Sequence, residues 1–166
     1  VNARRLLAPE LLSAALLDYA NRHGAPEPVL ENARAVAEGA YMIVAGQQPG
    51  LLGGPLYAVY KAATAVRLAR DLNQVPGAPK VVPVFWNHTD DHDLDEVNRA
   101  FLVNGNQDVQ RLRLDLQHQG EPIRNLKVGR LMEEVLGPVA EILPDSEFRS
   151  WALDAFTPEQ IGRAHV

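Results

Sequence analysis

The chain has 166 residues, of which 46% are hydrophobic and 22% charged, with a formal net charge of −5. That is the mix of a globular domain able to bury a core, and it excludes disorder over the whole length. The acidic balance argues against wrapping nucleic acid. The absence of cysteine excludes a disulfide framework, a zinc ribbon and a cysteine nucleophile within this segment.

No apolar run approaches the roughly 18 residues of a membrane span, and the opening residues lack the charged flank and apolar core of a signal peptide. The expected setting is therefore cytoplasmic, with no membrane and no nucleic acid as partner. Only three serines occur, Ser13, Ser146 and Ser150, and none stands in a G-x-S-x-G setting. Lysine appears only at Lys61, Lys80 and Lys127.

Pro9 suits the first turn of a helix. Leu12, Ala15, Leu16 and Tyr19 would share its inner face, with Gly24 as the stop. Pro26 and Pro28 open a second helix, with Val29, Ala33, Val36 and Ala37 inward and Gly39 ending it. Tyr41–Ala45 reads as a strand buried on both faces. The loop Gly46–Pro55 holds four glycines. A helix over about 55–72 follows, with Leu56, Val59, Ala63, Val66 and the stem of Arg70 on one stripe.

Pro76–Pro79 is a turn, and Val81–Trp86 a second buried strand whose Pro83 hints at an edge or a bulge. Strand, loop, helix, turn and strand make a βαβ unit, which predicts a three-layer α/β core with the two strands parallel and adjacent. The polar stretch Asn87–Glu96 comes next. Residues 99–103 and 109–116 read as a hairpin turned at Asn104-Gly105, with Leu112, Leu114 and Leu116 inward. Residues 129–143 are helical, broken near Gly137-Pro138. Residues 146–155 are helical too, with Phe148, Trp151 and Ala152 inward. The chain then ends without a closing element, as a fragment of something larger would.

Two stretches could carry chemistry. Glycines in Gly46–Pro55 let main-chain amides approach an anion, and the following helix adds its positive end. Pro55 donates nothing, so the amides on offer are those of Gly53, Gly54, Leu56 and Tyr57. The pattern is neither G-x-G-x-x-G nor G-x-x-x-x-G-K-[ST], and the same glycines would serve a tight strand-to-helix turn. Gln47 and Gln48 would give a polar substrate amide donors and acceptors. Lys61 either reaches back to the loop or is solvated.

The second stretch is Asp90-Asp91-His92-Asp93, at the carboxyl end of the second strand, where open α/β sheets bind ligands. Both loops should therefore face one crevice. An imidazole flanked by carboxylates suits acid–base work. The same cluster could hold a divalent ion, or be a polar turn with Asp93 or Asp95 capping a helix. His88 reads as a surface residue or a further polar group. His23, His118 and His165 stand alone. Arg111, Arg113, Arg124 and Arg130 are most simply solvated.

Taken together, Ala45-Gly46-Gln47-Gln48-Pro49-Gly50-Leu51-Leu52-Gly53-Gly54-Pro55-Leu56-Tyr57, then Lys61, Val82–Trp86 and Asp90–Asn98 resemble the bacillithiol biosynthesis cysteine-adding enzymes, the BshC cysteine ligases. That family carries T-G-Q-Q-x-G-L-x-x-G-P-L-Y, P-V-F-W and E-D-H-D-x-x-E-x-N blocks in this order. The resemblance is close over 41–98 and looser elsewhere. Ala45 and Asp90 depart from it, standing for a hydroxyl residue and a glutamate. So do Asn87 and His88, which stand where small or apolar residues are usual.

The resemblance implies a Rossmann-like three-layer parallel-sheet core, partial over 41–166 and carrying an inserted hairpin, behind an amino-terminal helical segment over 1–40. It implies a ligase joining the carboxyl group of cysteine to the amine of glucosaminyl-malate, with a homodimer for the full-length protein. His92, Asp91 and Asp93 would be the catalytic group. Gly46, Gln47, Gln48, Gly53, Gly54, Tyr57, Lys61 and Asp90 would bind substrate or nucleotide, with no metal ligands. The core resembles in shape the class I aminoacyl-tRNA synthetases and nucleotidylyl transferases. The synthetase H-I-G-H signature is missing, so adenylate chemistry does not carry over. An amide formed from a free carboxylate needs activation, so a nucleotide such as ATP or ADP, or another activated donor, is expected. The alternatives are a metal-dependent hydrolase using the aspartate–histidine cluster and a nucleotide-binding module without chemistry of its own.

Overall fold

The computed structural model describes residues 8–91, 93–116, 120, 122–126 and 128–157. They group into two compact units, one from Val1–Gly46 with Val59–Trp86 and one from Gln47–Ala58 with Asn87–Val166.

The first unit opens with two helices, α1 (Pro9–Arg22) and α2 (Glu27–Ala37). Each has a proline in its first two positions and an acidic residue in its first turn, the residues a helix start favours. They pack on each other, and the buried Ser13 hydroxyl donates to the Ala33 carbonyl at 2.8 Å. The buried face differs from the apolar periodicity. Ser13 and Ala20 are buried in α1, and Ala33 and Val36 in α2, whereas Tyr19 and Val29 are exposed. Small residues let the two helices approach, and the Tyr19 ring lies outward beside His23, 4.3 Å between centroids.

Strand β1 (Tyr41–Gln47), helix α3 (Leu56–Asn73) and strand β2 (Val81–Asn87) follow in the chain. β1 and β2 form a two-stranded sheet. The Tyr41 N–H donates to the Lys80 carbonyl at 2.8 Å, and the His88 N–H to the Gln47 carbonyl at 3.0 Å. Starts pair with starts and ends with ends, so the strands are parallel and adjacent, as the βαβ pattern predicts.

Burial changes along β2 and not between its faces, because the consecutive residues Val81 and Val82 point to opposite faces and both are buried. Val81 and Val82 are buried, while Tyr41, Val44, Phe85 and Trp86 are exposed. The expectation of strands buried on both faces is corrected here: among the described residues of the two strands, only the start of β2 is buried. α3 is corrected as well. Its buried residues are Ala58, Ala65 and Ala69, whereas Leu56, Val59 and Val66 are exposed. At 58, 65 and 69 the alanines share a helical face of the kind that permits close backbone approach. Asn73 locks the end of α3 to the start of β2: its amide donates to the Val81 carbonyl at 2.7 Å and accepts from the Val81 N–H at 2.9 Å.

The second unit contains a 3-10 turn at Leu51–Gly53, α4 (Leu94–Val97), the antiparallel strands β3 (Arg99–Val103) and β4 (Val109–Arg113), a 3-10 turn at Ile123–Asn125, α5 (Leu131–Ile142) and α6 (Arg149–Ala155). Its core joins Leu51, Leu112, Leu114, Met132, Val135 and Val139. The glycine loop is thus anchored through Leu51. The hairpin register pairs Ala100 with Leu112 and Val103 with Val109.

The hairpin connection is longer than the Asn104-Gly105 turn expected. Asn104 Oδ1 accepts the N–H groups of Asn106 and Asp108, both at 2.9 Å, and the left-handed residue is Gln107, φ 68°. α5 is unbroken, with Pro138 inside it. An interior proline costs about 3 kcal/mol, and burial of Met132, Val135 and Val139 on one face, at roughly 1.5–3 kcal/mol each, offsets it. In α6 the expected inward aromatics are outward, Phe148 and Trp151 both being exposed. Leu153 and Phe156 pack on the core instead.

Candidate functional site

Within the second unit, the chain leaving β1 and the chain leaving β2 meet. Gln48 Nε2 donates to Asp91 Oδ2 at 2.7 Å. Gln47 Nε2 donates to the Tyr57 hydroxyl at 3.2 Å and lies 3.4 Å from Gln48 Oε1. Gln47, Gln48, Tyr57 and Asp91 therefore form one polar array, as expected for loops that follow neighbouring parallel strands.

The acidic loop is held from a distant part of the sequence. The Ile123 N–H donates to the Asp91 carbonyl at 2.8 Å, and the Arg124 N–H to the Thr89 carbonyl at 3.1 Å. The Arg124 guanidinium also pairs with the Asp90 carboxylate. Arg124 thus faces an acid, as does Arg113, 3.6 Å from Asp95, and both arginines remain solvated, as expected. Asp91 Oδ1 accepts the Asp93 N–H at 3.2 Å, a local turn typical of aspartate. Asp93 occupies the position before α4 but caps it with no side-chain bond. The His88 imidazole places Nδ1 4.0 Å from Asp91 Oδ2. His92, His118 and His165 lie outside the described residues.

The glycine loop is tightly closed. A Cβ on Gly50 would stand 2.6 Å from the Gly54 Cα. Leu52 and Gly53 take left-handed φ values of 55° and 87°, and the glycine needs no compensation there. The Gly53 N–H donates to the Gly50 carbonyl at 3.0 Å, and the Gly54 N–H to the Leu51 carbonyl at 3.1 Å. Two of the four amides expected to cradle an anion, those of Gly53 and Gly54, are engaged in the turn itself. What the loop presents is the side-chain amides of Gln47 and Gln48.

In the first unit, a Cβ on Gly46 would lie 2.9 Å from the Trp86 main-chain oxygen, so only glycine fits that close strand approach. Lys61 Nζ donates to the Gly46 carbonyl at 3.3 Å; it turns back to the end of β1 and not to solvent alone.

Residues that sequence reasoning passed over are Ile123 and Arg124. They act on the loop through main-chain bonds some thirty residues away, for which no local sequence signal exists. Among the described residues, no three carboxylate or imidazole groups converge as a metal site would require, and no helix is long and apolar enough to cross a membrane.

The family described as bacillithiol biosynthesis BshC, N-terminal Rossmann-like domain, matches residues 2–160. Curated relatives carry the name "Putative cysteine ligase BshC". One from Koribacter versatilis is 38% identical over 148 residues, 89% of this chain and 27% of the relative. One from Symbiobacterium thermophilum is 39% identical over 142 residues, 83% of this chain and 25% of the relative. One from Bacillus cereus is 45% identical over 91 residues, 54% of this chain and 17% of the relative. The chain thus spans about a quarter or less of the length of these relatives.

Proposed function

Since this chain belongs to the BshC family as its N-terminal Rossmann-like domain, we propose that it supplies part of the active site of a cysteine ligase, which joins cysteine to glucosaminyl-malate in bacillithiol biosynthesis. The observation that carries the reading is the Gln48–Asp91 hydrogen bond, 2.7 Å. It unites the two motif-bearing loops into one polar surface.

Each group then has a physical task. Gln47, Gln48 and the Tyr57 hydroxyl offer paired donors and acceptors, suited to the hydroxyl and carboxyl groups of a sugar acid. Asp91 is the anionic centre of the array and attracts the amine of the acceptor. His92, between Asp91 and Asp93 in sequence, is an acid–base residue in its charged, proton-donating form, which a neighbouring carboxylate favours. Gly53 and Gly54 shape the loop, Gly46 sets the spacing of the strand ends, and Lys61 closes the end of β1. Asp90 acts with Arg124 to hold the acidic loop. Making an amide from a free carboxylate needs an activated carboxyl group, with a nucleotide as the expected source. The cytoplasmic setting and the homodimer of the full-length protein are carried by composition and resemblance.

The test is to incubate the full-length protein with cysteine and glucosaminyl-malate, with and without ATP, and to follow the thiol product by mass spectrometry. Formation of the cysteinyl amide supports the reading. No amide under either condition, with well-folded protein, sinks it.

A further inference from the structure

We propose that His88 and Asp91 form an imidazole–carboxylate dyad in which Nε2 of His88 takes the proton released as the acceptor amine attacks the activated carboxyl group. The proposal deepens the ligase reading and rests on it.

The geometry starts from the backbone. The His88 N–H is bonded to the Gln47 carbonyl at 3.0 Å, where β2 ends, and the Asp91 carbonyl accepts the Ile123 N–H at 2.8 Å. Both partners are therefore fixed by their main chains, three residues apart. The carboxylate is fixed as well, because Oδ2 accepts the Gln48 amide at 2.7 Å. That same oxygen lies 4.0 Å from His88 Nδ1. The imidazole is 49% exposed and the carboxylate 25%, so the ring has Nδ1 toward the acid and keeps half of its surface open to solvent.

The group facing one ring nitrogen decides which nitrogen carries the proton. A carboxylate opposite Nδ1 favours the Nδ1–H form and leaves the Nε2 lone pair outward as a base. At 4.0 Å the two groups face each other without a hydrogen bond, and catalytic hydrogen bonds in ligand-free sites are commonly long until substrate arrives. Of the neighbouring charges, the Asp90 carboxylate is engaged by Arg124.

In the step itself, the amine nitrogen forms a bond to the carboxyl carbon of an activated acyl donor. The bond from that carbon to its leaving group breaks, and the electron pair departs with the leaving group. The amine proton passes to Nε2, and the resulting imidazolium faces the Asp91 carboxylate.

Two measurements on the full-length enzyme decide it. Nitrogen-15 NMR of labelled histidine reads the His88 tautomer without any substrate. The dyad predicts Nδ1–H in the wild type and a shift to Nε2–H in Asp91→Ala; an unchanged tautomer overturns it. Steady-state kinetics with cysteine, glucosaminyl-malate and ATP should show kcat of His88→Ala lowered about 10²-fold or more, the scale of positioned proton transfer, with KM nearly unchanged. His88→Ala with wild-type kcat overturns the proton-accepting role. A wild type that forms no amide, yet shows the tautomer shift, overturns the ligase reading and leaves the dyad standing.

Discussion

Gln48 and Asp91 lie 43 residues apart in sequence and are joined by a 2.7 Å hydrogen bond between their side chains. The bond ties the loop that leaves β1 to the loop that leaves β2. It follows from the strand arrangement: parallel neighbours end at the same edge, so the residues just beyond them share a neighbourhood. Because the acceptor is a carboxylate, the bond is of the stronger, charge-assisted kind.

The approach of Gly46 to Trp86 makes a sharp stability prediction. A methyl group on Gly46 would meet the Trp86 main-chain oxygen at 2.9 Å, and backbone cannot move aside as a side-chain tip can. Gly46→Ala should destabilise by about 1–3 kcal/mol, the range for overpacking. Gly105 is the control, since a Cβ there meets nothing within 4 Å. Thermal melting should show Gly46→Ala clearly lowered and Gly105→Ala close to the wild type. Equal melting temperatures would contradict the tight fit.

Asn73 is a second structural point. It both donates to and accepts from Val81, at 2.7 and 2.9 Å, at a residue that is itself buried. Asn73→Ala leaves the N–H and the carbonyl of Val81 without these partners. Unpaired buried groups cost about 1–3 kcal/mol each, so a loss of roughly 2 kcal/mol or more is expected in urea unfolding. A change within a few tenths would show that water replaces the side chain.

Much of this architecture was legible in the sequence, and the failures are informative. The βαβ order and the parallel pairing were readable because alternating apolar runs and glycine punctuation encode them directly. The meeting of Gln48 with the aspartate loop followed from the same logic. Burial was misread for some of the large apolar residues assigned inward, such as Tyr19, Leu56 and Trp151, whereas Val36, Leu112 and Leu114 are buried as expected. In α3 the alanines are buried and Leu56 is 68% exposed; a helical stripe shows which residues share a face, not which face a neighbour covers. Pro138 was read as a break, yet α5 continues through it, because packing overrides local propensity. The turn at Ile123–Asn125 carries no local signature, and its role is visible only through its bonds to Thr89 and Asp91.

That turn yields a contrast between two adjacent residues. The Arg124–Asp90 pair is more than half exposed on both sides, and exposed pairs contribute about 0–1 kcal/mol. Ile123 is buried, with 8% of its surface exposed, and large-to-small changes at such positions cost about 2–5 kcal/mol. Ile123→Ala should lower the melting temperature far more than Arg124→Ala. The reverse order would show that the ion pair, not the buried side chain, anchors the acidic loop.

We propose that the Gln48–Asp91 array is part of the site at which the full-length ligase binds and turns over its substrates. The most direct measurement of this claim is steady-state kinetics of Gln48→Ala and His92→Ala in the full-length enzyme, with melting temperature as the control for folding. Gln48→Ala should raise KM for glucosaminyl-malate about tenfold with kcat nearly held, because it removes contacts already made in the ground state. His92→Ala should lower kcat by about 10²–10⁴-fold, as loss of a proton-transfer group does, with KM little changed. Well-folded variants that both keep wild-type kcat and KM would contradict the claim and leave the array as a structural tie between two loops.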